Sequence, residues 1–240
     1  MVTGTRDGEQ GSESTSVVST CKYCQRSFAK EATLAVHVCE PKRRWQAKDD
    51  KWVQLGFQAY LRFFAYTQPT AHAKSYEEFS ESPYYTAFVK FGRYMMNVKC
   101  INTVAFIDWV IKNNKKLDKW ATDKTYEDFL KHWIKHENHL DAINRTIETT
   151  QEWATTHDSI FNHYFAYAQH SRVVHDLARG RISPWCMYCS KSGQAFLSSL
   201  GEADLASVYE YIDPDFWGQK IRTDPVTSLE VEMVMKELKF

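Results

Sequence analysis

Residues 21–39 read CKYCQRSFAKEATLAVHVC and set Cys21, Cys24 and His37 at the spacing Cys-x2-Cys-x12-His. Two cysteines three apart fit a tight turn that offers two thiolates, and a short helix after them can carry an imidazole to the same ion. Phe28 lies four residues past the second cysteine and Leu34 three before the histidine. These two side chains are nearly all the apolar core that so short a segment can build. Burial alone does not close a unit of this size; bound metal contributes about 10–16 kcal/mol of apparent folding free energy in such peptides.

At every marked position the stretch resembles the C2H2-type zinc finger, whose frame is Cys-x2-Cys-x3-Phe-x5-Leu-x2-His. The resemblance implies a ββα-like unit over residues 19–41 around one structural Zn2+ ion. The departure comes at the fourth ligand. The family places His or Cys three to five residues past the first histidine, and position 41 here is Pro. Cys39 is the candidate, with water or a remote histidine as alternatives. Residues two apart on a helix point to opposite sides. The helix must therefore end near His37, so that Val38 turns Cys39 back to the metal, and Pro41 agrees with that stop. The expected ligands are Cys21, Cys24, His37 and Cys39. The base-reading positions of such a finger fall on Lys30, Thr33 and Val36, and only Lys30 is a good donor to base edges. One finger covers about three base pairs. Backbone contact is expected in place of sequence reading.

The 240-residue chain has 30 basic and 30 acidic residues, and this zero net charge conceals segregation. Residues 21–62 carry nine bases and four acids, net +5, and residues 63–135 carry eleven and eight, net +3. Residues 136–240 carry nine and fifteen, net −6. The densest basic cluster, Lys42, Arg43, Arg44 and Lys48, follows the finger directly. With Lys22, Arg26 and Lys30 it forms the candidate phosphate-binding set.

From Trp45 onward the periodicity is helical. Trp45, Trp52, Leu55, Ala59, Phe63 and Tyr66 form one stripe, and Val53, Phe57, Leu61 and Phe64 add apolar surface on other faces, so a central, buried helix ending before Pro69 is expected. Ser75 and Thr125 are expected N-caps, Glu78 closing a capping box and Asp128 approximating one. Further helices are expected near 83–97, 102–112, 125–153, 159–179, 192–200, 202–212 and 226–238, with Gly180, Pro184, Gly201, Pro214 and Pro225 among the stops. The fold class is mainly α: an all-helical domain preceded by a small finger. Residues 1–18 read as a disordered tail, 19–41 as the finger, 42–50 as a basic linker into the first helix, and 45–240 as the helical domain, with a candidate sub-boundary near 180–185. The 14 Phe, 8 Trp and 13 Tyr exclude a mostly disordered chain. No apolar run approaches the ~18 residues of a membrane span. The N-terminal residues carry no apolar secretory segment, so a cytoplasmic setting with metal-bound or free cysteines is expected.

Two weaker constellations stand apart. Cys186 and Cys189 form a second Cys-x2-Cys, readable as a second metal site with His170 and His175, as a redox pair, or as two apolar residues packed against Trp185. The last is favoured, because no second knuckle and no βαβ pattern accompany the pair. His132, His136 and His139 share a helix face at i, i+4 and i+7, a polar boundary flanking an apolar stripe. Phosphate-binding loops and nucleophile elbows are missing, so nothing argues for an enzyme.

From Cys21 through Lys42-Arg43-Arg44 and into the aromatic helices, the chain resembles a group of finger-plus-helical proteins encoded by T4-like tailed phages of marine bacteria. That resemblance implies the cytoplasm of an infected bacterium and nucleic-acid transactions. A looser likeness, in the aromatic helices around Leu177–Trp185, is to the helical helicase-loading protein of such phages, which binds forked and single-stranded DNA. The expected function is a non-enzymatic nucleic-acid-binding accessory protein. Finger and basic segment would lie on phosphates, and the acidic helical half would face a phage or host protein. The alternative is a protein–protein adaptor whose finger docks a partner without touching nucleic acid.

Overall fold

Two glycines let two helix backbones meet directly. The computed structural model describes residues 18–70 and 72–240. Helix α3 (Lys51–Thr67) and helix α5 (Tyr85–Asn97) cross with Gly56 and Gly92 at the contact. A Cβ on Gly56 would lie 2.7 Å from the Phe88 carbonyl oxygen, and one on Gly92 would collide with the Trp52 carbonyl oxygen. Backbone meets backbone there, and the aromatic residues pack outward from it. Tyr60 meets Phe88 edge-on at 5.5 Å, and Trp120 lies 5.2–6.0 Å from Phe63, Phe88 and Phe91.

Helix α4 (Tyr76–Glu81) packs on α3 and α5, and α6 (Thr103–Lys112) packs on α3. The expected capping box at Ser75 is present. Its hydroxyl accepts from the Glu78 N–H at 3.3 Å, and the Glu78 carboxylate accepts from the Ser75 N–H at 2.8 Å. The expectation of a fully buried α3 is corrected: Leu55, Phe57 and Leu61 are half-buried and line an open groove of about 650 Å³ with Met96.

The second half comprises α7 (Asp123–Trp133), α8 (His139–His157), α9 (Tyr164–Tyr167), α10 (His170–Ala178), α11 (Pro184–Tyr188), α12 (Lys191–Ser199), α13 (Glu202–Ile212), α14 (Pro214–Thr223) and α15 (Pro225–Glu237). Gly180, at φ +68°, joins the halves: a Cβ there would press on Leu130 and Ile101, and its carbonyl accepts from Arg145 at 2.6 Å. Arg145 also grips the buried Glu137 carboxylate at 2.6 and 2.7 Å. In the segment 180–185, read as a candidate sub-boundary, Gly180, Ile182, Ser183, Pro184 and Trp185 are buried.

Several helices are shorter than their periodicity implies, because local caps win over apolar spacing. The 125–153 segment divides at Asn138, whose side chain accepts from the Leu140 and Asp141 N–H groups and starts α8. His132 and His136 therefore sit together, ring centroids 4.7 Å apart, while His139 belongs to the next helix, near Glu230. Thr122, not Thr125, caps α7, and Asp128 pairs with Lys115 and Lys124. The 159–179 segment divides at Ala168–Gln169. Pro214 begins α14 as its first residue, where proline's missing N–H costs nothing. The proposed tail lies outside the described residues apart from Val18.

Two outcomes check this packing. Gly92→Ala in an open helix would stabilise by about 1 kcal/mol; here it should destabilise by about 1–3 kcal/mol or more, read by denaturant unfolding. The Glu78 carboxyl is held down to about 2, first by Lys74 and then by the Ser75 N–H. A depressed carboxyl stabilises the fold above its ordinary range and loses that contribution as pH falls through its folded value. Thermal melts between neutral pH and about pH 2 should therefore fall less steeply for Glu78→Gln than for the parent chain.

Candidate metal centre

The finger segment forms as its donors require. Strands β1 (Ser19–Thr20) and β2 (Ser27–Phe28) pair antiparallel, Ser19 opposite Phe28, and hold the knuckle between them. The Cys21 N–H donates to the Arg26 carbonyl and the Gln25 N–H to the Cys21 carbonyl, each at 2.9 Å. Gln25 takes the left-handed conformation, φ +58°, that brings the chain out of the turn. Helix α1 (Glu31–Val36) then carries Leu34 inward and stops. His37 leaves it in an extended conformation, φ −67° and ψ 125°, its N–H still donating to the Leu34 carbonyl at 3.1 Å.

That stop turns Cys39 back as the spacing demands. Donor atoms of Cys21, Cys24, His37 and Cys39 all lie within 4.8 Å of one another. Cys24 Sγ is 3.2 Å from His37 Nε2, and Cys21 Sγ is 4.0 Å from Cys39 Sγ. A tetrahedral ion with bonds of about 2.3 Å to sulfur and about 2.0 Å to nitrogen would set these separations at about 3.5 and about 3.8 Å. The four residues are thus a Cys3His group placed to hold one metal ion. Phe28 packs against His37 with ring centroids 4.7 Å apart and fixes the imidazole. The Cys21 thiol is pulled below its ordinary range chiefly by the Cys24 backbone N–H, while burial raises that of Cys39.

The segment after the finger, read as a linker over 42–50, is helix α2 (Glu40–Gln46) for most of its length. Cys39 is its N-cap and Pro41 stands in its first turn, where a missing N–H costs nothing, while α1 has already ended at Val36. The expected continuous helix from Trp45 is consequently broken at Ala47–Asp50. Through α2 the finger is joined to the helical body. Tyr23 packs on Trp45 and Trp45 on Tyr76, at 6.4 and 5.6 Å. The Tyr76 hydroxyl donates to the Arg44 carbonyl at 2.7 Å, and Arg44 Nη1 donates to the Ser80 carbonyl at 2.8 Å.

The seven candidate phosphate-binding residues separate accordingly. Lys42 donates to the His37 carbonyl at 3.0 Å. Arg44 binds Glu40 and Ser80 and lies over Tyr85, and Lys48 lies over Trp45 and Tyr76 at 5.2 and 5.3 Å. These three brace α2. Lys22, Arg26, Lys30 and Arg43 are exposed, Arg43 pairing with Glu40. Sequence reading missed Arg93 of α5, exposed and stacked 5.1 Å over Trp52; a contact between positions 41 apart leaves no local signal.

Cys186 and Cys189 are buried in and just after α11, and burial pushes both thiols up to about 12. His170 packs on Phe196 and His175 is exposed, so neither thiol gains a partner for a second site, and the Cys3His group is the one candidate metal cluster among the described residues. Among the described residues no helix is long and apolar enough to cross a membrane. Comparison with protein-family models, curated proteins and solved structures finds no match to this chain.

Metal analysis of the purified chain should find one ion. Cys39→Ser should lower its occupancy sharply, whereas Cys186→Ser should leave it unchanged. Chelation should open residues 19–39 to hydrogen exchange while the α3–α5 layer stays protected.

Proposed function

We propose that the Cys3His group holds a structural zinc ion and that the folded finger lies on the phosphate backbone of a nucleic acid, in a non-enzymatic accessory role. Three thiolates and an imidazole in tetrahedral reach are the donor set zinc takes in closed structural sites. The observation that carries the nucleic-acid reading is the state of the finger's own cations. Lys22, Arg26 and Lys30 are all exposed, and among the described residues none is paired with a carboxylate. The acidic half, net −6 over residues 136–240, would repel the same polyanion and is assigned to a protein partner with a basic surface. Val226, Leu229 and Met233 support that assignment: they stand 69, 56 and 51% exposed along α15, beside Glu230 and Glu232. The resemblance to phage proteins would set this role in an infected bacterial cell.

The exposed stripe on α15 also favours the second reading, an adaptor that joins proteins and leaves nucleic acid alone. Fluorescence anisotropy with single-stranded, duplex and forked DNA separates the two. About four phosphate contacts should weaken binding about a hundredfold between about 50 and about 200 mM salt. Joint reversal of Arg26 and Lys30 to Glu should remove most of it with zinc content unchanged. Salt-insensitive binding, or none, sinks the nucleic-acid reading and leaves the adaptor.

A further inference from the structure

Helices α2, α3 and α5 enclose a shallow cleft of about 300 Å³ on which arginines from two separate segments converge. Arg43 and Arg44 come from α2, and Arg93 comes from α5. We propose that this cleft is a seat for one phosphodiester, clamped between Arg93 and Arg43, and that it extends the finger's phosphate track onto the helical body; the inference rests on the nucleic-acid reading above.

The three guanidiniums differ in what they have left to offer. Arg44 is fully engaged: it lies 4.5 Å over Tyr85, its Nε donates to Glu40 at 3.1 Å, and its Nη1 donates to Ser80. It forms the floor. The Arg93 guanidinium lies 5.1 Å over the Trp52 ring, a contact that uses its face and spends none of its N–H donors. Among the described residues no carboxylate pairs with it, and it is exposed. Arg43 pairs with the Glu40 oxygen that Arg44 does not use. A phosphate can therefore replace Glu40 on Arg43 while Arg44 keeps Glu40 paired, so the exchange strands no carboxylate. Glu40 and Asp50 also line the cleft, leaving three cations against two anions. That balance suits one monoanionic phosphodiester better than a dianionic phosphate.

The test uses the full chain loaded with zinc, labelled single-stranded and duplex oligonucleotides, and the variants Arg93→Ala, Arg93→Lys and Arg43→Gln. Arg93→Ala should weaken binding about tenfold at low salt and flatten the slope of log K against log salt by about one. Arg93→Lys should keep the slope and lose affinity, because an ammonium keeps the charge without the planar fork. Arg43→Gln, which breaks no stacking contact, should repeat the Arg93→Ala effect and guards against a folding artefact. If affinity and slope survive in Arg93→Ala and Arg43→Gln but fall in the Arg26/Lys30 reversal, the cleft lies off the track: this inference fails and the nucleic-acid reading stands. If the parent chain shows no salt-dependent binding, both fail. Inorganic phosphate at matched ionic strength should not displace the oligonucleotide; Arg93-dependent displacement would make the cleft a seat for free phosphate and overturn the assignment.

Discussion

No side chain separates α3 from α5 where Gly56 and Gly92 cross, and that contact sets the spacing of the whole N-terminal layer. Phe88 reaches Tyr60 and Phe63, and Phe63, Phe88 and Phe91 all reach Trp120, because the two backbones meet directly. The same contact has an outward effect. Gly92 rests on the carbonyl of Trp52, so the next residue, Arg93, is delivered over the Trp52 ring. The close approach that excludes a methyl group inside thus orients a guanidinium outside.

Helix α2 performs the corresponding service for the finger. Its N-cap is Cys39, the fourth member of the Cys3His group, its middle holds α4 through Arg44 and Trp45, and Lys42 reaches back to the His37 carbonyl. Seven residues therefore belong to the metal centre and the helical body at once. A finger on a flexible tether would keep all its basic neighbours in solution. Here Lys42, Arg44 and Lys48 are drawn into aromatic and carbonyl contacts.

The finger was the most legible part of the chain because a metal centre is written locally. Cys21, Cys24, His37, Phe28 and Leu34 lie within one short segment, and even the early end of α1 followed from the two-residue gap between His37 and Cys39. The all-helical class was equally plain, since apolar spacing survives any rearrangement of the helices. Helix boundaries were less so: Asn138 and Thr122 act through single side-chain hydrogen bonds that period counting does not weigh. What stayed hidden is non-local. The engagement of Arg44 depends on Ser80 and Tyr85, the exposure of Leu61 on what fails to cover it, and the interior place of residues 180–185 on Arg145, Thr146 and Thr149. Gly180 and Pro184 look like punctuation in sequence, yet in the fold both are buried, and Gly180 packs against Ile101 of the first half and Leu130 of the second.

Helix α2 carries Cys39 as its N-cap and is bonded to α4 through Arg44 and Tyr76, so one short helix links the Cys3His group to the α2–α3–α5 cleft. If both engage one strand as proposed, their effective concentration would not be set by a flexible tether, and less orientational entropy would be lost than for two loosely joined modules. Their separation would then act as a gauge: a polymer whose repeat matched it would gain avidity without adjustment, and one whose repeat did not would be held at a single point.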